Sequence, residues 1–207
     1  MSDRLSRRAV LALTAGAAAS VAGCTGGSGG DETETVDSLP PPVAGDPQAS
    51  NTVMVFEDFA CPHCRQFALE VFPKLESAYL EPGRVRYEHH DFPIPVDDRW
   101  SWQAASAARA VQDTVDDAAF FAYAKRLYER QDRYSMDVIG TQAEAVGADP
   151  EPVRRAARQE TYRPVLEADR ELGTQLDLQG TPQVYVNGTR LDSYGYETVA
   201  AAIENQL

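Results

Sequence analysis

Hydrophobic positions in this chain recur with two periods, and the chain switches between them several times after residue 50. Thr52-Val53-Met54-Val55-Phe56 is a short apolar, β-branched run, which predicts a buried strand. Phe67, Val71, Leu75 and Tyr79 then recur every fourth residue, which predicts a helix over residues 62–80. Pro62 suits the first helical position, where its missing N–H costs nothing, and this puts Cys61 at the N-cap. Pro73 lies inside the helix and predicts a kink. Residues 85–92 alternate and predict a central strand, closed by the turn Phe92-Pro93-Ile94-Pro95. Helical patterns follow over about 75 residues. Trp102, Ala105, Ala108 and Val115 mark one helix, residues 120–128 a second, and residues 136–146, stopped by Gly147, a third. Residues 152–159 and 164–176 each open on a proline, as helices do. Gln183-Val184-Tyr185-Val186 is a strand, and Asn187-Gly188 is a two-residue type I′ hairpin signal leading to a return strand at 189–191. Residues 196–207 predict a closing helix with Val199 and Ile203 facing inward.

The N-terminus does not share these patterns. Arg4, Arg7 and Arg8 precede a weakly apolar run over residues 9–22, which is too short to span a bilayer and reads as an export signal. Ser6-Arg7-Arg8-Ala9-Val10-Leu11 resembles a twin-arginine signal, and Val21-Ala22-Gly23-Cys24 resembles a lipobox. The second resemblance implies cleavage after residue 23 and lipid on Cys24, which would hold the protein on the outer face of the cytoplasmic membrane. Residues 24–50 carry Gly-Gly pairs, an acidic run and Pro40-Pro41-Pro42, the composition of a flexible linker with one stiff piece. The expected organisation is a signal over 1–23, a linker over 24–50 and one folded domain over 51–207, with a helical insertion at about 98–177.

Composition narrows the function. A hydrophobic fraction of 43% in 207 residues is too high for a disordered chain. No run of 18 apolar residues occurs, which excludes a polytopic membrane protein. The 32 acidic and 19 basic side chains give a formal charge of −13, which argues against nucleic acid as a partner. Beyond residue 23 the bases include only two lysines, Lys74 and Lys125. An acid-rich, lysine-poor surface suits a high-salt solvent, where self-repulsion is screened, so a halophilic source is expected.

Cys61-Pro62-His63-Cys64 carries the candidate chemistry. Disulfide exchange needs a thiolate, and unpaired N–H groups at a helix N-terminus stabilise one. A protonated His63 would add a second stabilising charge. Cys64, one turn further on the same face, can close a disulfide with Cys61 or release a mixed disulfide. A stabilised Cys61 thiolate favours the reduced form and makes the disulfide an oxidant.

Glu57-Asp58-Phe59-Ala60-Cys61-Pro62-His63-Cys64 after a strand resembles the DsbA-type thiol-disulfide oxidoreductases of the thioredoxin superfamily. Gly180-Thr181-Pro182 before a strand is a second point of resemblance. The family implies a thioredoxin-like α/β fold: β-α-β and β-β-α halves on a mixed central sheet, with an inserted helical module. It implies a cis-Pro182, preceded by Thr181, beside the site and framing the edge where a substrate peptide pairs. It also implies cysteine-containing exported proteins as substrates, a membrane quinone-linked oxidase of the DsbB or VKOR type as redox partner, and no cofactor. Relatives carry a buried acid six residues before the first cysteine. Here that position is Val55. Glu57, of the same strand parity, and Asp58 are the candidates to relay protons instead, against the plainer expectation that they are surface acids near a loop.

The expected function is therefore donation of disulfides to exported proteins. A reductase or isomerase would use the same residues. A copper-binding envelope lipoprotein is the alternative of another class, because soft thiolates near a histidine suit Cu(I). Zinc fits poorly: it wants four ligands, and His89 and His90 are adjacent on a strand and point to opposite faces. Both histidines are expected to be structural, and Tyr87, Trp100 and Trp102 to be mostly core. A four-residue ring is also too small to be a useful structural staple.

Overall fold

A computed structural model describes residues 35–94 and 96–207, so the signal and lipobox readings, Cys24 included, lie outside the described residues. Five strands make one mixed sheet: β1 (Val43–Gly45), β2 (Thr52–Glu57), β3 (Arg86–Asp91), β4 (Gln183–Val186) and β5 (Thr189–Arg190), in the order β1-β3-β2-β4-β5. β2 and β3 run parallel and the other neighbours antiparallel. The middle position falls to β2, and β3, expected as the central strand, lies beside it.

The edge strand that covers the outer side of β3 is β1, which the linker reading had not anticipated. Its neighbourhood is bound to the domain: the Val36 N–H donates to the Thr161 carbonyl, the His89 N–H to Pro42 and the Val43 N–H to Asp117. The folded unit thus begins before residue 51. Three residues between a triple proline and a turn are too few for periodicity to register.

The motif helix is less regular than its spacing suggests. α1 (Pro62–Gln66) widens into a π-helical stretch, Phe67–Val71, continues as α2 (Phe72–Leu75) and ends in a second π stretch, Glu76–Leu80. The Phe72 N–H donates five residues back, to the Phe67 carbonyl. Pro73 explains the first widening: it has no N–H, and its ring would collide with the carbonyl four residues earlier, so the backbone takes in one extra residue per turn.

α3 (Trp100–Thr114), α4 (Asp117–Tyr128), α5 (Met136–Glu144), α6 (Pro150–Gln159) and α7 (Arg163–Gln175) form the insertion. Asp116, Ser135 and Asp149 cap α4, α5 and α6 with their side chains. α8 (Tyr196–Glu204) closes the chain and buries Val199 and Ile203. Asn187 and Gly188 both have positive φ, 48° and 77°, as a type I′ turn requires.

Three apolar clusters hold these layers together. Val53, Val55, Tyr87 and Val184 pack one sheet face against Phe67, Leu75 and α8, while Phe56 and Tyr185 pack the other against Phe92 and Leu178. The third cluster is the core of the helical module, built on Phe120, Leu127, Ile139 and Leu166, and it takes in Phe59, Cys61 and Cys64. The motif thus sits at the seam between sheet and module. Tyr87 is core as expected; Trp100 and Trp102 are half-buried, each beneath a guanidinium, that of Arg99 and of Arg163.

Candidate active site

β2 ends at Glu57, and Asp58-Phe59-Ala60 turns the chain into α1. The Asp58 carboxylate accepts the N–H groups of Ala60 at 2.6 Å and Ile94 at 2.7 Å, and its carbonyl accepts the Cys61 N–H at 3.0 Å. Burial, opposed by those two donors to its carboxylate, raises the Asp58 pKa to about 6. Asp58 is only 1% exposed and Glu57 only 4%, so neither is a surface acid. A further brace comes from the helical module. The Gln131 amide donates to the carbonyls of Phe59 and Cys61, both at 2.9 Å, and the Tyr134 hydroxyl donates to Phe59 at 3.0 Å.

Cys61 takes the N-cap of α1 with extended backbone (φ −77°, ψ 123°). Its sulfur lies 3.4 Å from the Thr181 carbonyl oxygen, immediately before Pro182, and the Thr181–Pro182 bond is cis. The buried Cys64 sulfur accepts the Asp58 N–H at 3.4 Å, and both cysteines are free thiols. They differ sharply as acids. A hydrogen bond from the Cys64 thiol lowers the Cys61 pKa to about 5, against the effect of burial and with help from the Thr181 hydroxyl and the N–H groups of Cys64 and His63. Burial pushes Cys64 well above the ordinary thiol value, and the charges of Glu57 and Cys61 push the same way. At neutral pH the pair is one thiolate and one thiol, poised for exchange through Cys61. His63 is exposed, with Nδ1 3.2 Å from the Tyr194 hydroxyl.

Behind Cys64 lies a set of buried charges. Glu57, His89 and Asp91 share one face of β2 and β3. His89 Nδ1 is 3.1 Å from Glu57 and its Nε2 is 3.3 Å from Asp91. Arg109 of α3, wholly buried, donates to Asp91 at 2.7 Å and also to Asp169 of α7, which meets His90 Nδ1 at 2.8 Å. Burial disfavours charge on His89, but the Asp91 and Glu57 carboxylates outweigh it and raise its pKa to about 9. Burial likewise works against Asp91, yet Arg109 and His89 hold its carboxyl below the usual range. His89 and His90 point to opposite faces, and among the described residues no three His, Cys, Asp or Glu side chains are grouped to hold a metal.

The motif residues and the Thr181-Pro182 pair are thus brought together, and Glu57 and Asp58 stand next to them. Gln131, Tyr134, Tyr194, Arg109 and Asp169 were not foreseen. The one signal that pointed toward them was the unusual run of four ionisable residues, Glu88 to Asp91, inside a strand pattern.

The thioredoxin family model matches residues 37–205. Disulfide bond formation protein D of Bacillus subtilis (strain 168) is 27% identical over 173 residues, which cover 80% of this chain and 77% of that protein. A putative protein-disulfide oxidoreductase of Rickettsia bellii (strain RML369-C) is 23% identical over 75% of this chain and 61% of its own length. Among solved structures, oxidised BdbD from Bacillus subtilis superposes with a TM-score of 0.74 at 26% identity, over 84% of this chain and 98% of that one. Chlamydia trachomatis DsbA, at 21% identity and a TM-score of 0.72 over 80% and 89%, shares the fold. The chain belongs to the thioredoxin family and is a DsbA-like, disulfide-forming oxidoreductase.

Proposed function

We propose that this protein donates the Cys61–Cys64 disulfide to exported proteins that carry paired cysteines. A substrate thiolate attacks Cys61 Sγ, the Cys61–Cys64 bond breaks, and Cys64 leaves with the electron pair and takes up a proton. A second substrate thiolate then attacks the substrate sulfur of the mixed disulfide, and Cys61 leaves as a thiolate. The substrate is oxidised by two electrons and the Cys61–Cys64 pair is reduced. Thr181 and Pro182 present the backbone edge on which the substrate strand pairs. His63 adds positive charge beside Cys61 when protonated, and Pro62 starts the helix that aims its N–H groups at the sulfur. The observation that carries this direction is the asymmetry of the two thiols, because stabilising the Cys61 thiolate stabilises the reduced form and makes the disulfide oxidising.

Glu57 is the group that exchanges the proton with Cys64. Its charge bears on the Cys64 thiol, and the Tyr128 hydroxyl at 3.5 Å and His89 hold its carboxylate. Asp58, whose two oxygens are taken by backbone donors, is a brace of the turn. Reoxidation falls to a membrane quinone-linked oxidase of the DsbB or VKOR type. The twin-arginine-like signal and lipobox support export and anchoring through lipid on Cys24. Among the described residues no helix is long and apolar enough to cross a membrane.

The deciding measurement is the equilibrium of Cys61–Cys64 with a glutathione series, in high salt, on the chain with Cys24→Ser so that only the site titrates. A potential near about −120 mV is expected of a disulfide donor, and one near about −270 mV would mean an electron donor and would overturn the proposed direction.

A further inference from the structure

Ala60 and Pro62, on either side of Cys61 in the chain, line an open cleft of about 510 Å³. The end of α4 and the turn after it supply another wall, with Glu129, Asp132 and Arg133. Gln131, also on this wall, spends its amide on the Phe59 and Cys61 carbonyls, which ties the cleft to the backbone of the exchanging residue. Arg65 lines the cleft from α1. Its backbone N–H donates to the Cys61 carbonyl at 3.1 Å, so its side chain starts one helical turn beyond the cysteine, roughly 5–6 Å away.

The charges around the cleft are not equivalent. Asp132 and Arg133 are exposed and 4.0 Å apart, a loose pair. Glu129 is exposed at the end of α4. Arg65 is held: its Nε–H donates to the Tyr128 carbonyl at 3.0 Å, and among the described residues no carboxylate pairs with it. A guanidinium fixed through Nε keeps its remaining donors in a planar fork, the geometry that grips a carboxylate through two parallel bonds. A polypeptide joined to Cys61 has to pass over this surface. In an extended strand the side chain two residues from the reacting cysteine points the same way as that cysteine and lies about 7 Å along. That spacing matches the offset between Cys61 and Arg65.

We propose that the cleft is a subsite for an acidic side chain two residues from the reacting cysteine of the substrate, gripped by Arg65. The inference rests on disulfide exchange at Cys61 and adds a substrate class: cysteines with Asp or Glu close by. Glu129 faces the same cleft and opposes an anion there, but its exposed side chain is free to turn into solvent, whereas Arg65 is tied in place. The ion pair forms as the substrate sulfur approaches Cys61 Sγ and is lost when the oxidised product leaves, so it adds no bond change to the exchange itself.

The test uses the full chain carrying Cys24→Ser and Cys64→Ser, with Cys61 loaded as a mixed disulfide with thionitrobenzoate. The thiolate of a single-cysteine peptide attacks Cys61 Sγ, and the yellow thionitrobenzoate leaves with the electron pair and gives the rate. The peptides carry Glu, Gln or Lys two residues before or two residues after the cysteine. The readout is the Glu-to-Gln rate ratio divided by the same ratio in Arg65→Gln, which cancels the effect of the flanking charge on the peptide's own thiol. The expected quotient is roughly threefold at one of the two positions. Arg65→Glu should reverse the preference and favour the Lys peptide. Arg155→Gln removes the same charge from α6, outside the cleft, and should leave the ratio where it was. A quotient near one at both positions overturns the subsite. So does an equal fall in Arg155→Gln, which would make net charge and not the cleft the source of discrimination. Either result leaves exchange at Cys61 standing. If instead the oxidised chain with both site cysteines oxidises no two-cysteine peptide, the proposed function fails and the subsite fails with it.

Discussion

The two sides of Cys64 are built from different materials. Toward the surface, Cys61 is tuned by short-range neutral groups: a thiol, the Thr181 hydroxyl and the N–H groups of α1. Toward the interior, Glu57, His89, Asp91, Arg109 and Asp169 are acidic and basic side chains, the first four buried and Asp169 half-buried, each held by the next. Neutral dipoles change an equilibrium by modest amounts and can be lost one at a time. Desolvated charges are different, because removing one leaves its partner buried and unpaired. The difference implies that the outer side governs redox chemistry and the inner side governs whether the seam between sheet and helical module holds. Variants that affect one property and spare the other test that division.

The largest effect falls on the sulfurs. Cys61→Ser should reduce disulfide donation to the level of the protein-free reaction, because no other thiol meets the substrate. Cys64→Ser should retain attack through Cys61 and accumulate mixed disulfides, visible by non-reducing gel and mass spectrometry. Equal trapping by the two variants would contradict the assignment of Cys61 as the exchanging sulfur.

Next comes the interior. Arg109→Met leaves the Asp91 and Asp169 carboxylates buried without their guanidinium and should cost about 3–5 kcal/mol in denaturant unfolding. Replacing Asp91, Arg109 and Asp169 together by apolar residues of similar volume should cost less than Arg109→Met alone. In both variants the Cys61 thiolate, followed by its ultraviolet absorbance, should titrate nearly as before. A large displacement would mean that the two sides are not separate.

The same contrast explains what could be read from the chain. The outer side was legible because its residues are consecutive or nearly so: Cys61 to Cys64 on one turn, and Thr181-Pro182 ahead of a short strand. The turn of β2 into α1, the type I′ hairpin and the inserted helices followed from local patterns. The inner side was not legible, because Glu57, Asp91, Arg109 and Asp169 come from β2, β3, α3 and α7, and only the packing of these elements makes them neighbours. Glu57 and Asp58 looked like surface acids, since sequence shows charge and not the burial that turns it into chemistry. β1 was missed for a third reason: a three-residue strand is defined by its partner β3 and not by any pattern of its own.

Acidity separates the two sides by sign. The folded Cys61 pKa of about 5 lies below the ordinary thiol value of 9.0, so its thiolate contributes stability at high pH that is lost as pH falls toward 5. The folded His89 pKa of about 9 lies above 6.5, so its contribution is complete below 6.5 and is lost as pH rises through 9. Only the reduced protein has the Cys61 thiolate. The stability of the reduced form relative to the oxidised form should therefore increase from pH 5 to pH 9, while the oxidised form alone weakens from 6.5 upward. Parallel denaturant titrations of both forms across this range measure the two slopes, and a reduced-minus-oxidised difference that is flat with pH would remove the tuning assigned to Cys61. Thr181→Val should raise the Cys61 pKa and lower the oxidising power by a smaller amount, since the hydroxyl is one of several groups acting on the sulfur.

The smallest effect belongs to the most exposed contact. The Tyr194 hydroxyl lies between His63 Nδ1 at 3.2 Å and Gln66 Oε1 at 3.5 Å. If it donates to Gln66, it can accept from an Nδ1–H, a contact compatible with the cation that favours the Cys61 thiolate. If it donates to Nδ1, the imidazole is neutral on that side. Tyr194→Phe removes both options and frees the ring, while the aromatic contacts to Phe67 and His63 remain. A single solvent-exposed hydrogen bond is worth on the order of 0.5 kcal/mol, so exchange with glutathione should change by less than about threefold. The sign of that change carries the information. A slower reduction of the disulfide means that the tyrosine had been accepting from Nδ1–H, and a faster one means that it had been donating to Nδ1.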